Sequence, residues 1–336
     1  MTEWESRPGR PAMAHLSRPV PPGHLAGWGA EHRSWLADGL ARYGAVLVRG
    51  LDLPDAAALE QVARAVAGPP MAEREGFARR HPLGGAVLSS LDWPPDQPMC
   101  MHHEMSATRC YPRLLAVACF AAPEEGGVTG VADGQAVLAA LPQDLRQRFA
   151  GSGWILDRCF HRLVGLPWEQ AFGTADRAET ERYAEANDIE LTWDGDLLRT
   201  RQRRAAVVRH PATGAEVWFN QVAFLNEWSM DRNVREYLVM QFGPAGLPFN
   251  TRYGDGGAIG ADEIDAINDT YERHTLREPW RKGDLMLIDN IRMAHSREPY
   301  RGRREIGLVF GDPVPSPDCP PAAGADLAAG SGAGRD

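Results

Sequence analysis

The 336-residue sequence predicts an α+β domain: an antiparallel sandwich or barrel with helices packed on its outside. Three observations lead there. Apolar residues in the first 70 positions recur at helical spacing, the later apolar runs are short and strand-like, and no regular strand–helix–strand alternation links them.

Residues 1–23 contain five prolines and no hydrophobic periodicity, and read as a loose N-terminal arm. Trp35, Leu36, Leu40 and Tyr43 then have helical spacing, with Gly44 where a helix-terminating glycine belongs. Ala45–Val48 reads as a buried strand. Leu59, Val62, Ala63 and Val66 form a second helical stripe, opened by Pro54-Asp55 and stopped by Gly68-Pro69-Pro70. Leu114–Phe120 is a strand. Ala205–His210 and Glu216–Phe219, on either side of Pro-Ala-Thr-Gly-Ala, read as a hairpin. Ile264, Ile267 and Tyr271 mark a late helix, and Leu285–Ile288 and Ile306–Phe310 are strands flanking a polar segment. In the tail, 313–336, 15 of 24 residues are Pro, Gly or Ala, too little to bury. The folded body is therefore expected over 24–312, without internal repeats or an interdomain linker.

Composition removes several function classes. A formal charge of −9 argues against nucleic acid as a partner. No run approaches the ~20 apolar residues of a membrane span, and the first residues lack the apolar core of a secretion signal. Lys282 is the single lysine against 35 arginines, and it sits in Arg-Lys-Gly-Asp, so a phosphate-binding Gly-Lys-Ser/Thr loop is absent. Five cysteines without a Cys-x-x-Cys pair read as reduced thiols of a cytoplasmic protein, neither a disulfide framework nor a zinc site.

The informative segment is Met101-His102-His103-Glu104-Met105. On a strand, His102 and Glu104 share one side and His103 faces the other. A second histidine from elsewhere would complete a two-His, one-carboxylate face, which holds Fe(II) and leaves three adjacent positions open. With ten histidines and 45 acids in 336 residues, one such triplet arises about once by chance. A polar strand near the surface is thus the bland alternative. The far end adds weight. Asp289-Asn290 leads to His295, and Arg304 follows nine residues later. A 2-oxo acid that chelates iron needs a forked donor for its distal carboxylate, which arginine supplies and lysine does not. Thr129 offers one further hydrogen bond.

These residues fall into blocks. His102-His103-Glu104-Met105-Ser106, Glu124–Asp133, His210-Pro211 through Phe219-Asn220-Gln221, and Asp289-Asn290 through Arg304 occur in one order. In that order the sequence resembles the taurine dioxygenase/clavaminate synthase superfamily of Fe(II)/2-oxoglutarate oxygenases, and within it the branch of the syringomycin-pathway amino acid hydroxylase. The resemblance implies a double-stranded β-helix core with flanking helices. It implies iron held by His102, Glu104 and His295, and 2-oxoglutarate held by Arg304 with Thr129; O2 is the third reactant. A one-residue slip would exchange Arg304 with Arg303. Related halogenases replace the carboxylate ligand with a small residue, so Glu104 argues against halogenation.

The implied outcome is hydroxylation of an unactivated carbon of a free or carrier-tethered amino acid in natural-product biosynthesis. The same site could give desaturation, epoxidation or ring closure, and a barrel that binds metal or ligand without turnover is the alternative from another class. Gln97, Asn220 and Arg297 are candidate substrate contacts, or else strand-end hydrogen bonders. Arg199–Arg204 reads as a solvated strand edge or as a docking face for an acidic carrier protein. Gly254–Gly260 reads as a surface loop, since the residues before it do not form a buried strand. His103 is expected beside the site or outside the sheet. Phe160–Tyr183 takes the position of the family's mobile lid. The oligomeric state is not legible in the sequence.

Overall fold

The computed structural model describes residues 3–162 and 164–315. Seven strands form the largest sheet, in the order Ala12–His15, Ala45–Arg49, Leu285–Asp289, Cys110–Ala121, Glu305–Pro315, Val87–Ser89 and Pro82–Gly84. The first pair is parallel and the others are antiparallel. Both faces are covered. Val46, Val48, Leu114, Ala116, Leu285 and Leu287 pack beneath the helices Leu25–Glu31, Arg33–Tyr43 and Ala56–Ala67. Leu47, Val117, Met286, Ile288, Leu308 and Phe310 point the other way. Two-sided burial is why these strands read as unbroken apolar runs.

The second face meets a smaller antiparallel sheet, ordered Thr275–Leu276, Val131–Asp133, Met293–Arg297 and Met99–His102. Val131 and Met293 join the core between the two sheets. Beyond the small sheet, Met99, Met101, Ala132 and Ala294 pack with Val137, Phe149, Ile264 and Ile267 of outer helices. The result is the expected α+β arrangement of two facing sheets with helices outside each.

Local chemistry explains the element ends. Asp55 caps the helix Ala56–Ala67 by accepting from the Ala58 amide at 2.9 Å. Gly44 ends the helix Arg33–Tyr43 at φ +74°, and a Cβ there would also strike the Met293 side chain.

Four expectations need correction. The N-terminal arm is not loose throughout: Ala12–Ala14 are buried and pair with Val46–Val48, and Trp4 stacks on Trp35 at 4.2 Å. Four residues show no periodicity, and their hydrogen bonds come from a partner strand. The body also outruns 312, because the last strand continues to Pro315, opposite Cys110; the expected tail from 316 onward lies outside the described residues, as does Cys319. The basic run is not a sheet edge. Leu197–Arg204 lies between Ile189–Asp194 and Trp154–Phe160 in a third sheet, with Arg199, Arg201 and Arg203 on its exposed side. Finally, Phe249–Tyr253, ahead of the glycine loop, is a strand at the edge of that third sheet, with Thr251 and Tyr253 buried. Among the described residues, Cys100, Cys119 and Cys159 are free thiols. Among the described residues no helix is long and apolar enough to cross a membrane.

Candidate active site

His102 ends its strand, and His295 lies directly opposite it on the neighbouring strand. Glu104 is not on the strand, as the sequence led one to expect; it sits in the turn that follows, where Met105 adopts φ +56°. The convergence survives this change. One ligand-type atom from each of His102, Glu104 and His295 lies within 4.8 Å of the others. Glu104 Oε1 is 3.4 Å from His295 Nε2 and 3.9 Å from His102 Nε2.

The surroundings of each side chain bear on whether it could hold a cation. His102 Nδ1 donates to the Cys100 carbonyl at 2.9 Å, which leaves the Nε2 lone pair free. That Nε2 is buried without a hydrogen-bond partner among the described residues. Burial, reinforced by the neighbouring His102, pushes His295 down to about 4, so its imidazole is neutral at pH 7. Burial alone would raise Glu104. The Arg80 charge beside it, with the imidazoles of His102 and His295 close by, overcomes this and holds it well below the usual carboxylate range. The His102 ring stacks on Phe224 at 4.3 Å and meets the edge of Phe77.

A cavity of about 50 Å³ adjoins these groups, lined in part by Arg80, Glu104, Thr129, His295, Arg297 and Arg304. Arg304 Nε donates to the Gly127 carbonyl at 3.0 Å and Nη2 to Thr129 Oγ1 at 3.3 Å; Trp280 Nε1 also donates to Thr129. Gly127, at φ +65°, is needed here, since a Cβ would press on the Arg304 and Tyr300 side chains. Burial, and then Arg297, pushes Arg304 down to about 10. Among the described residues no carboxylate lies within ion-pair distance of it. A buried guanidinium without an anion suits an anionic ligand. Arg303 is exposed and paired with Glu305.

The three substrate-contact expectations fare unevenly. Asn220 does not join the site: its Nδ2 donates to the Ala206 carbonyl and its Oδ1 accepts from the Val222 amide, which uses the side chain at a strand end. Arg297 reaches the cavity wall, but its guanidinium donates to the carbonyls of Trp93, Pro94 and Gln97. Gln97 is half-buried in that loop. His103 is neither a member of the cluster nor outside the sheet; it is fully buried against Phe219, with Nδ1 3.4 Å from the Asn220 carbonyl. Phe160–Tyr183 carries the helix Trp168–Phe172 and the start of Arg177–Ala186, over a small core of their own.

Sequence reasoning missed Arg80. It is almost fully buried, bonded to both Glu73 and Glu104, and its guanidinium lies over the Phe310 ring. No spacing signal marks it, because its partner is a turn 24 residues away.

The sequence matches the family model described as taurine catabolism dioxygenase TauD, TfdA family, over residues 5–309. The chain belongs to this family. It is a 2-oxoglutarate-dependent dioxygenase, with Fe(II) and 2-oxoglutarate as its cofactor and co-substrate. It is 30% identical to the dapdiamide synthesis protein DdaC of Enterobacter agglomerans, across 82% of this chain and 84% of that protein. It is 28% identical to a clavaminate synthase-like protein of Arabidopsis thaliana, across 78% and 80%. Among solved structures, PvcB of Pseudomonas aeruginosa superposes with a TM-score of 0.53 at 15% identity, covering 91% of this chain and 90% of that one. AAD-2 in complex with Mn(II) and N-oxalylglycine gives 0.51 at 12% identity, covering 94% and 99%. These two likenesses show the shared fold.

Proposed function

We propose that this dioxygenase hydroxylates an unactivated C–H bond of an amino acid or amino-acid-derived metabolite. His102, Glu104 and His295 hold the iron, and Arg304 with Thr129 seats the distal carboxylate of 2-oxoglutarate. The two facing sheets are read as a double-stranded β-helix, with the site between them. One observation carries the assignment: three metal-ligating side chains converge beside a buried arginine that lacks a carboxylate partner. The substrate class rests on the resemblance to the amino acid hydroxylase branch and on the likeness to a dapdiamide synthesis protein.

The residues have separate tasks. Two imidazole nitrogens and a carboxylate provide the donor set an Fe(II) ion takes. When bound, the iron and 2-oxoglutarate supply the oxidising chemistry with O2, releasing succinate and CO2. Arg304 orients the co-substrate through its fork, and Trp280 orients Thr129. Phe77, Trp93 and Phe224 shield the His102 side from water.

Anaerobic addition of Fe(II) and 2-oxoglutarate should produce a weak visible charge-transfer band that His295→Ala abolishes. A band that persists in that variant, or never forms in the wild type, removes the ligand assignment. Succinate release is then assayed across free amino acids and carrier-loaded aminoacyl groups. Silence in both sets, with the band intact, would overturn the amino-acid reading alone.

A further inference from the structure

The strand Met99–His102 stops two residues short of Glu104, so the N–H and C=O of Glu104 lose the partners a ladder would provide. Asn290 takes both. Its Oδ1 accepts from the Glu104 amide at 2.8 Å, and its Nδ2 donates to the Glu104 carbonyl at 3.0 Å. Nδ2 also donates to the Pro112 carbonyl at 2.8 Å. The carboxamide thus stands in for a peptide unit and extends the pairing past the end of the strand. An aspartate could not do so, because a carboxylate only accepts and would face two carbonyl oxygens.

Asn290 is itself anchored. It is fully buried, and its amide donates to the Arg113 carbonyl at 2.7 Å. The preceding Asp289 accepts from the amides of Ile291 and Arg292 and from His210 Nε2. Five residues further on, the same segment delivers His295 opposite His102. One stretch of chain therefore sets two ligands, His295 by its own strand and Glu104 through the Asn290 side chain.

We propose that Asn290 is a positioning residue for the metal centre, holding the Glu104 main chain in its ligating conformation before metal arrives. This rests on Glu104 being an iron ligand, as proposed above. Partners of this kind are worth about 10–100-fold in metal affinity.

Metal-free protein is titrated with Co(II), which reports through its visible absorption, and Kd is read together with Tm. Asn290→Asp should weaken Co(II) binding by about 10–100-fold. Asp55→Ala, which removes the cap of the outer helix Ala56–Ala67, should lower Tm while leaving Kd within about twofold. An unchanged Kd in Asn290→Asp, or equal losses in the two variants, would make Asn290 a folding residue only. A variant-free measurement covers a failure to fold. In metal-free wild type the Glu104 amide should already be protected from hydrogen exchange. Exchange as in an open turn until Co(II) is added would overturn the proposal. Wild type that binds no Co(II) overturns the ligand assignment as well, and so separates the two failures.

Discussion

Arg303 and Arg304 are adjacent, yet only one can meet a ligand in the cavity. Just ahead of the strand Glu305–Pro315, Arg303 faces solvent, where Glu305 pairs with it, and Arg304 turns inward against Thr129. An exposed pair contributes little, whereas a desolvated guanidinium without an anion makes a charge-assisted fork to a carboxylate strong. Arg304→Met is therefore expected to raise the apparent Kd for 2-oxoglutarate by about 10–100-fold, the loss of one to two charged hydrogen bonds. The charge-transfer titration reads this directly. Co(II) affinity should be unchanged, and Arg303→Ala should leave both constants within about twofold. If Arg303→Ala produces the larger loss, the two roles are exchanged.

At the scale of elements, the sequence showed what is periodic and hid what is held by distant contacts. The helices Arg33–Tyr43 and Ala56–Ala67 and the strands Ala45–Arg49 and Leu285–Asp289 were legible, because burial of one or both faces imprints a pattern on consecutive residues. The strand Ala12–His15 and most of the third sheet were not, since short or half-exposed strands carry a weak imprint. The site shows the same division. His102 and His295 stand in recognisable blocks, whereas Arg80 touches Glu104 without belonging to one. Asn290 was visible as part of a block but without a task, because its task is a bond to the main chain 186 residues earlier. Gly134 is another such position. It opens the helix Gly134–Ala140 while its amide donates to the Arg292 carbonyl at 2.7 Å, on the segment that leads to His295. A Cβ there would lie 2.6 Å from Val217 Cγ1 and 2.9 Å from the Trp218 carbonyl oxygen. Neither neighbour is a free side-chain end, so Gly134→Ala should destabilise by about 1–3 kcal/mol in urea unfolding. A neutral or stabilising result would show that the helix and hairpin can separate at no cost.

At the scale of the whole molecule, the site exists only when both facing sheets are assembled. His102 and His295 belong to the small sheet, and Arg304 leads into a central strand of the large one. Such a site binds the native state and not the unfolded chain, so its ligands must stabilise the fold by mass action. The increment is about 2.7 kcal/mol at a ligand concentration 100 times Kd. For a chain of this size that corresponds to a rise in Tm of several degrees. Co(II) should therefore raise Tm in wild type and leave it unchanged in His295→Ala. 2-Oxoglutarate added after the metal should raise it further, because in the proposed site a chelating co-substrate meets both the ion and the Arg304 fork. Added without metal it has only the fork, and the shift should shrink to a small fraction. Equal shifts with and without metal would mean that the dicarboxylate is held by the arginines alone. In that case the three convergent side chains and the buried guanidinium would be two independent sites sharing one cavity.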